Sequence, residues 1–309
     1  MDGRVLELLR SHGWTPGGVI GAGMEGEVVD LSPTEVAKVW HSHVPEDLAC
    51  RMRFGAALAR SSLPFRVSRT LDVLETADLA ITIEDKVPGE PLRPDGAHDP
   101  PVVSDEEARL MGDALAGLSN ARDPELNELP ILPGEAPFTN DDGFASELAD
   151  LAHRRFTARP DLLRQEISDI DDLVRLLLTK LRALPQPDSM RLLHGDLIPA
   201  NVLVEGGEVA GIVDFGFLTT LGDPRFDAAI TASIFDMYGA NARESEERLS
   251  AEFAARFDHD PLPYALYRAA YAIITNAHFG TDGTDGTDGH FLWCASMLRR
   301  PEIEDAIRA

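Results

Sequence analysis

Leu193-His194-Gly195-Asp196-Leu197-Ile198-Pro199-Ala200-Asn201-Val202-Leu203-Val204, followed by Gly211-Ile212-Val213-Asp214-Phe215-Gly216, is the stretch on which the reading of this chain turns. Asp196 and Asn201 stand five residues apart on one tight loop, so a carboxylate and a carboxamide aim at one space. A carboxylate placed there can accept the proton of an attacking hydroxyl, and an amide oxygen can bind a hard divalent cation. Asp214, at the end of the next strand, offers a second, anionic oxygen. Phosphoryl transfer needs this set: an aligned acceptor and metal ions that neutralise phosphate charge, with little covalent help. Each piece alone has a plainer reading, as a turn, a helix cap or a strand end.

Two upstream signals make coincidence hard to sustain. Gly21-x-Gly23-x-x-Gly26 fits two phosphate-binding contexts. In a dinucleotide-binding fold the pattern opens a helix. Here Glu27-Val28-Val29-Asp30-Leu31 alternates and runs into the turn Ser32-Pro33-Thr34, so no helix follows. That favours a glycine loop bridging two strands over phosphates, with a flexible hairpin as the plain alternative. Lys38, in Val36-Ala37-Lys38-Val39, follows on the next strand. A half-buried ammonium needs an anionic partner, and phosphate oxygens under the glycine loop supply one. An exposed strand lysine is the alternative, made less attractive because the chain holds 25 Arg and only 3 Lys (Lys38, Lys86 and Lys180).

Working outward, residues 3–12 read as a helix with an apolar stripe of Val5, Leu6, Leu8 and Leu9. Residues 19–40 read as an antiparallel meander, 46–60 as a helix, and 71–75 and 79–84 as strands. Pro88-Gly89-Glu90-Pro91 reads as a linker. Beyond it, 104–119, 143–155, 161–184, 226–238, 243–257, 262–279 and 290–299 read as helices, the first with a capping box from Ser104 and Glu107. Residues 202–205 and 209–214 read as a hairpin around Gly206-Gly207. The expected class is α+β: a small antiparallel-sheet lobe over residues 1–88, which binds nucleotide, and a larger, mainly helical lobe over 89–309.

Composition narrows the partners. The 309 residues carry 53 acidic and 28 basic side chains, a formal net charge of −25. Nucleic acids and anionic membranes select basic patches, so neither is expected. A cationic small molecule would be drawn to such a surface, although a plain solvated surface explains the charge as well. Cys50 and Cys294 form no CxxC spacing, and no disulfide framework follows. The opening MDGRVLELLRSHGW lacks a signal peptide's apolar run, and nothing reaches the about 20 apolar residues of a membrane helix. A cytoplasmic protein is expected. There is no GxSxG, HExxH or Cys–His cluster. His41 and His43 read as polar residues at a strand end. Tyr264, Tyr267 and Tyr271 sit at helical spacing and read as core. The Thr281-Asp282-Gly283 repeats through Gly289 read as a polar, flexible loop, with calcium binding the less favoured reading.

From about Gly17 to at least Asp227 the chain resembles the aminoglycoside phosphotransferase family, relatives of the protein kinases. The resemblance is carried by His194-Gly195-Asp196 through Asn201, by Asp214, and by Gly222-Asp223-Pro224-Arg225-Phe226-Asp227. It implies a two-lobed, protein-kinase-like fold. It also implies phosphorylation of a small-molecule hydroxyl from ATP, with GTP as the alternative, and Mg2+ as cofactor. By resemblance Asp196 is the catalytic base, and Asn201 and Asp214 hold Mg2+. Lys38 contacts the α- and β-phosphates beneath Gly21, Gly23 and Gly26. His194 and Asp227 support the catalytic loop. Ile83-Glu84-Asp85-Lys86-Val87-Pro88-Gly89 lies where the family has its adenine-binding hinge. The candidates there are the Glu84 backbone carbonyl and the backbone N–H of Lys86 or Val87.

The family includes kinases for aminoglycosides, macrolides, homoserine, choline and methylthioribose. The acidic chain favours a cationic antibiotic, an aminoglycoside or a basic peptide, with acidic runs at 104–107, 123–128, 141–150 and 166–172 near the large-lobe cleft. One feature departs from the pattern. The family pairs its strand lysine with a glutamate inside the following helix, yet Leu48 to Leu63 contains no Glu or Asp. Glu46 either takes that role from the helix start or is an ordinary cap. The gap is also the sole sequence support for a catalytically silent, pseudokinase-like nucleotide-binding protein.

Overall fold

A computed structural model describes residues 2–23, 26–40, 48–76, 78–94, 101–278 and 289–309. Alternating valines build the first sheet. Helix α1 (Gly3–Ser11), capped by the Asp2 carboxylate on the Arg4 N–H, leads into β1 (Val19–Ala22), β2 (Gly26–Asp30) and β3 (Glu35–Trp40). Then come α2 (Ala49–Arg60), β4 (Arg66–Val67), β5 (Thr70–Glu75) and β6 (Ala80–Asp85). Five of these strands form an antiparallel sheet of order β1-β2-β3-β6-β5.

The two-residue period of a strand sorts the faces. Val29, Ala37, Val39, Leu74, Ile81 and Ile83 bury against Val5 and Leu9 of α1. Lys38, Trp40, Thr82 and Glu84 fall on the opposite face, with Lys38 opposite Thr82. Burying each large aliphatic side chain contributes about 1.5–3 kcal/mol. A one-residue slip would expose the whole apolar set and thrust Lys38 under α1, so the hydrophobic pattern also fixes where the ammonium goes.

The second half holds β7 (Glu90–Pro91), α3 (Asp105–Leu118), α4 (Phe144–Ala158), α5 (Pro160–Glu166), α6 (Ile170–Arg182), β8 (Arg191–Leu193), β9 (Val202–Glu205), β10 (Glu208–Ile212) and β11 (Thr220–Gly222). It ends in α7 (Pro224–Ile234), α8 (Ala242–Phe257), α9 (Leu262–Thr275), α10 (Gly289–Leu298) and α11 (Pro301–Arg308). The helices close on α9, whose Tyr264, Tyr267 and Tyr271 are buried as expected of core. Tyr267 meets Phe144 and Phe226 edge to face. A four-stranded sheet of order β4-β10-β9-β7 stitches the halves together. In it β4, from between α2 and β5, pairs in parallel with β10.

Several expectations are corrected. The single helix read over 161–184 is two, α5 and α6. The chain breaks because Ile167 turns extended, at φ −131, and its N–H closes on the Leu163 carbonyl. This lets both Ile167 and Ile170 enter the core. The helix read to residue 238 ends at Ile234, and the one read to 279 ends at Thr275. β4, β7, β8 and β11 have two or three residues each, too few to show a period. α11 follows Pro301 and buries Ile303 and Ile307. His41, His43, Glu46 and most of the Thr-Asp-Gly repeats lie outside the described residues. No helix among the described residues is long and apolar enough to cross a membrane.

Candidate active site

The antiparallel pair β8 and β11 delivers the chain to His194, with Thr220 opposite Leu193. There the backbone turns through Gly195 at φ +83, and a Cβ would lie 2.3 Å from the Phe217 carbonyl oxygen, so only glycine fits. Asp227, in the first turn of α7, holds this turn. Its carboxylate accepts the N–H groups of His194 and Gly195, each at 2.9 Å. Burial pushes the Asp227 carboxyl above its ordinary range, against the two N–H groups, which favour its charge. Thr219 donates to the His194 carbonyl at 2.7 Å and accepts from the Gly216 N–H at 2.8 Å, tying the loop to the Asp214–Gly216 turn.

His194 is fully buried, and its tautomer follows from its neighbours. The Asp196 N–H points at Nδ1 (3.3 Å), so the proton sits on Nε2, which donates to the Val213 carbonyl at 2.9 Å. Burial pushes the imidazole below its ordinary value of 6.5. The unfolded chain therefore accepts a proton that the folded chain refuses. Stability should fall as pH drops below 6.5, by up to about 1.4 kcal/mol per pH unit until the folded ring titrates. His194→Gln keeps a donor and an acceptor and should flatten that limb in urea unfolding at about pH 5 and about pH 7. Equal pH slopes for variant and parent would refute the buried neutral ring.

Asn201 is buried, and its Nδ2 donates to the Asp196 carbonyl at 2.9 Å. That bond fixes the amide's orientation and leaves its oxygen as the atom a cation would use. Asp214 lies two residues past the end of β10, at φ +68, with its side chain 45% exposed. Its Oδ1 accepts from Lys38 Nζ at 2.6 Å. Burial works to raise the Asp214 carboxyl, but the Lys38 ammonium outweighs it by charge and hydrogen bond and holds the group below its ordinary range. An exposed carboxylate and an amide oxygen are hard donors of the kind that suit Mg2+, which takes a few protein oxygens and fills the rest of its shell with water and phosphate.

The glycine loop and the segment that follows β6 carry more detail than the sequence offered. Gly21 lies within β1 one residue before its end, Gly26 opens β2, and the Gly23 N–H donates to the Gly26 carbonyl at 2.9 Å. A Cβ on Gly26 would stand 2.0 Å from the Val39 carbonyl oxygen, whereas one on Gly23 would meet open space. Gly26→Ala should therefore cost about 1–3 kcal/mol of stability by overpacking, and Gly23→Ala much less. Thermal melts check this, and equal losses would show that both glycines serve the backbone alike. In the hinge, the Lys86 N–H is committed to the Thr34 carbonyl at 2.8 Å, and its Nζ to Asp30. Glu84 lies within β6 between Val36 and Thr70. The Val87 N–H has no carbonyl partner among the described residues, and Pro88 behind it has no N–H. Of the two donors read from sequence, Val87 is the one without a backbone partner among the described residues.

Sequence reading missed the surroundings of Lys38. Glu84, considered only for its backbone, turns its carboxylate into the crevice and accepts from Ser68 and Thr82 hydroxyls, both at 2.6 Å. Trp40 packs under Lys38, whose Nζ is 4.2 Å from the ring centroid. Arg51 of α2 reaches the Phe215 carbonyl and adds to the field that lowers Asp214. Only the alternation of β6 hinted at any of this, by placing Thr82 and Glu84 on one face.

The geometry can be set beside known proteins. The chain is similar to the aminoglycoside phosphotransferase APH(3'')-Id from Streptomyces rimosus, solved with ADP and streptomycin. That likeness has 22% identity and a TM-score of 0.54 over 88% of this chain and 97% of that one. It is similar to the macrolide 2'-phosphotransferase MphH from Brachybacterium faecium, an apoenzyme, at 18% identity and a TM-score of 0.57 over 97% and 99%. The GDP complex of aminoglycoside 2'-phosphotransferase-IIIa shares 15% identity and a TM-score of 0.59 over 99% and 98%. At these identities the likeness is one of fold. No curated protein matches the chain. The model of the APH phosphotransferase enzyme family matches residues 19–272, a span that takes in the glycine loop, Lys38, the loop from His194 to Asn201, Asp214 and Asp227. By that match the chain belongs to the phosphotransferase enzyme family.

Proposed function

We propose that this phosphotransferase moves the γ-phosphoryl group of ATP, with GTP as the alternative donor, to a hydroxyl of a cationic antibiotic, an aminoglycoside or a basic peptide, and so inactivates it. One observation carries the reading: Lys38 Nζ and Asp214 Oδ1 meet at 2.6 Å across 176 residues, beside the loop that holds Asp196 and Asn201. Asp196 accepts the acceptor hydroxyl's proton as its oxygen forms a bond to the γ-phosphorus and the bond to the bridging oxygen breaks. Lys38 pairs with phosphate oxygens beneath the glycine loop. The Val87 N–H receives the base. Asp214 and Asn201 are the residues that would hold Mg2+, which when bound neutralises phosphate charge. Residues 1–88 form the nucleotide-binding lobe, 89–309 the catalytic and acceptor lobe, and the cytoplasm supplies the nucleotide.

The net charge of −25 supports a cationic acceptor. So does the streptomycin bound to one similar structure, and the ADP in that structure and the GDP in another leave both donors in play. The intact set of Lys38, Asp196, Asn201 and Asp214 speaks against a silent nucleotide binder. Protein, nucleotide and single candidate compounds (aminoglycosides, basic peptides, macrolides, homoserine, choline, methylthioribose) would be incubated and weighed by mass spectrometry. One added phosphate on a cationic antibiotic is expected. Phosphate appearing only on a macrolide or a metabolite would overturn the acceptor class. Nucleotide binding with no acceptor-dependent turnover anywhere would favour the silent binder.

A further inference from the structure

Arg51, in the first turn of α2, has no part in the reaction just described, yet it joins that helix to the Asp214–Phe215–Gly216 turn. Its Nη1 donates to the Phe215 carbonyl at 2.9 Å, a contact between residues 164 apart. A Cβ on Gly216 would lie 2.6 Å from its Nη2, so the guanidinium packs directly on that glycine. The same guanidinium lies 4.5 Å from the centroid of the Trp40 ring, which also carries Lys38. Trp40 is itself fixed: it is buried, and its Nε1 donates to Thr82 Oγ1 at 3.2 Å, which donates on to Glu84. Lys38, Arg51, Glu84, Asp214 and Phe215 line one crevice. A planar guanidinium lies along an indole face while its rigid edge donates to a carbonyl in the plane of the fork, a geometry that a compact ammonium on a flexible stem does not reproduce.

We propose that Arg51 is a positioning residue for the cation site: it pins the Phe215 carbonyl against α2 and Trp40, and so fixes the orientation in which Asp214 meets a divalent cation. The inference rests on the reading of Asp214 as a cation ligand. It makes the affinity for Mg2+ depend on the seating of a small-lobe helix. Asp214 is joined by its own backbone to the carbonyl that Arg51 holds, so freeing that carbonyl lets the carboxylate swing with the turn.

Two variants separate geometry from charge. Arg51→Met keeps an unbranched stem over the indole and loses every donor. Arg51→Lys keeps the charge and loses the fork. Calorimetry would follow nucleotide binding over a series of Mg2+ concentrations and without Mg2+, beside steady-state kcat and a thermal melt. The Mg2+ concentration for half-maximal nucleotide binding should rise about tenfold in both variants, as expected for a lost charge-assisted bond. Nucleotide affinity without Mg2+ should stay within about threefold. An unchanged Mg2+ midpoint in a folded Arg51→Met protein would overturn the proposal. Loss of folding in both variants would assign Arg51 to the fold alone and overturn it too. Parent protein whose nucleotide binding ignores Mg2+ would sink the ligand role of Asp214 itself, a failure that Asp214→Ala reports separately.

Discussion

Asp196→Asn should lower kcat by about 10²–10⁴-fold, the range for loss of a positioned general base, while nucleotide affinity stays within a few-fold. The expectation of an intact site comes from which atoms of Asp196 hold the loop. Its backbone N–H points at His194 Nδ1, and its carbonyl accepts from Asn201 Nδ2 and from the Ile198 N–H. None of these loop-holding bonds uses the carboxylate, so the amide leaves the turn, the Asn201 orientation and the buried His194 where they are. What changes is the ability to take a proton. Turnover within tenfold of the parent would remove Asp196 from the mechanism. A parallel fall in nucleotide affinity would instead mean that the substitution disturbed the loop.

Asp214→Ala should abolish Mg2+-dependent tightening of nucleotide binding and lower kcat by about 10³-fold, as for removal of a principal electrostatic stabiliser. The effect on stability should be moderate. Asp214 is 45% exposed, which weakens the pair, but Lys38 is only 10% exposed, and its ammonium loses this carboxylate. Nucleotide binding without Mg2+ should hold or improve, because the Asp214 carboxylate no longer competes with phosphate for the ammonium. Calorimetry in the presence and absence of Mg2+ separates these terms. Unchanged Mg2+-nucleotide affinity would count against the ligand role, and a large drop in melting temperature would show that the pair is mainly structural.

Local chemistry made several elements readable. The alternation from Glu27 to Leu31 and around Lys38 defined the meander, because a sheet with one covered face repeats every two residues. Ser104 and Glu107 marked the start of α3, where both halves of the capping box are formed. The break inside 161–184 was hidden, since its residues keep a helical apolar pattern and only packing of Ile167 pulls the chain out. The two-residue strands β4 and β7 exist only because β10 and β9 present them with partners. The surroundings of Lys38 were hidden for a related reason. An arginine in an alanine-rich helix looks like any solvated arginine until Phe215, 164 positions later, arrives beside it.

The order of residues alone determined which chemistry the chain carries, because a carboxylate, an amide and a second carboxylate at fixed spacings on loops can be read without knowing their neighbours. It determined the sheet register too, since burial of Val29, Ala37, Val39, Ile81 and Ile83 admits one face and no other. Tertiary structure alone decided the state of those groups: that Lys38 rests on Asp214, that His194 is buried and its imidazole pushed below its ordinary range, that the Lys86 N–H is taken by Thr34 whereas the Val87 N–H has no carbonyl partner among the described residues, and that Arg51 grips the turn after Asp214. The physical reason is range. Periodicity and capping act over a few residues, whereas charge, burial and hydrogen-bond partners are set by whatever the fold brings within a few ångströms.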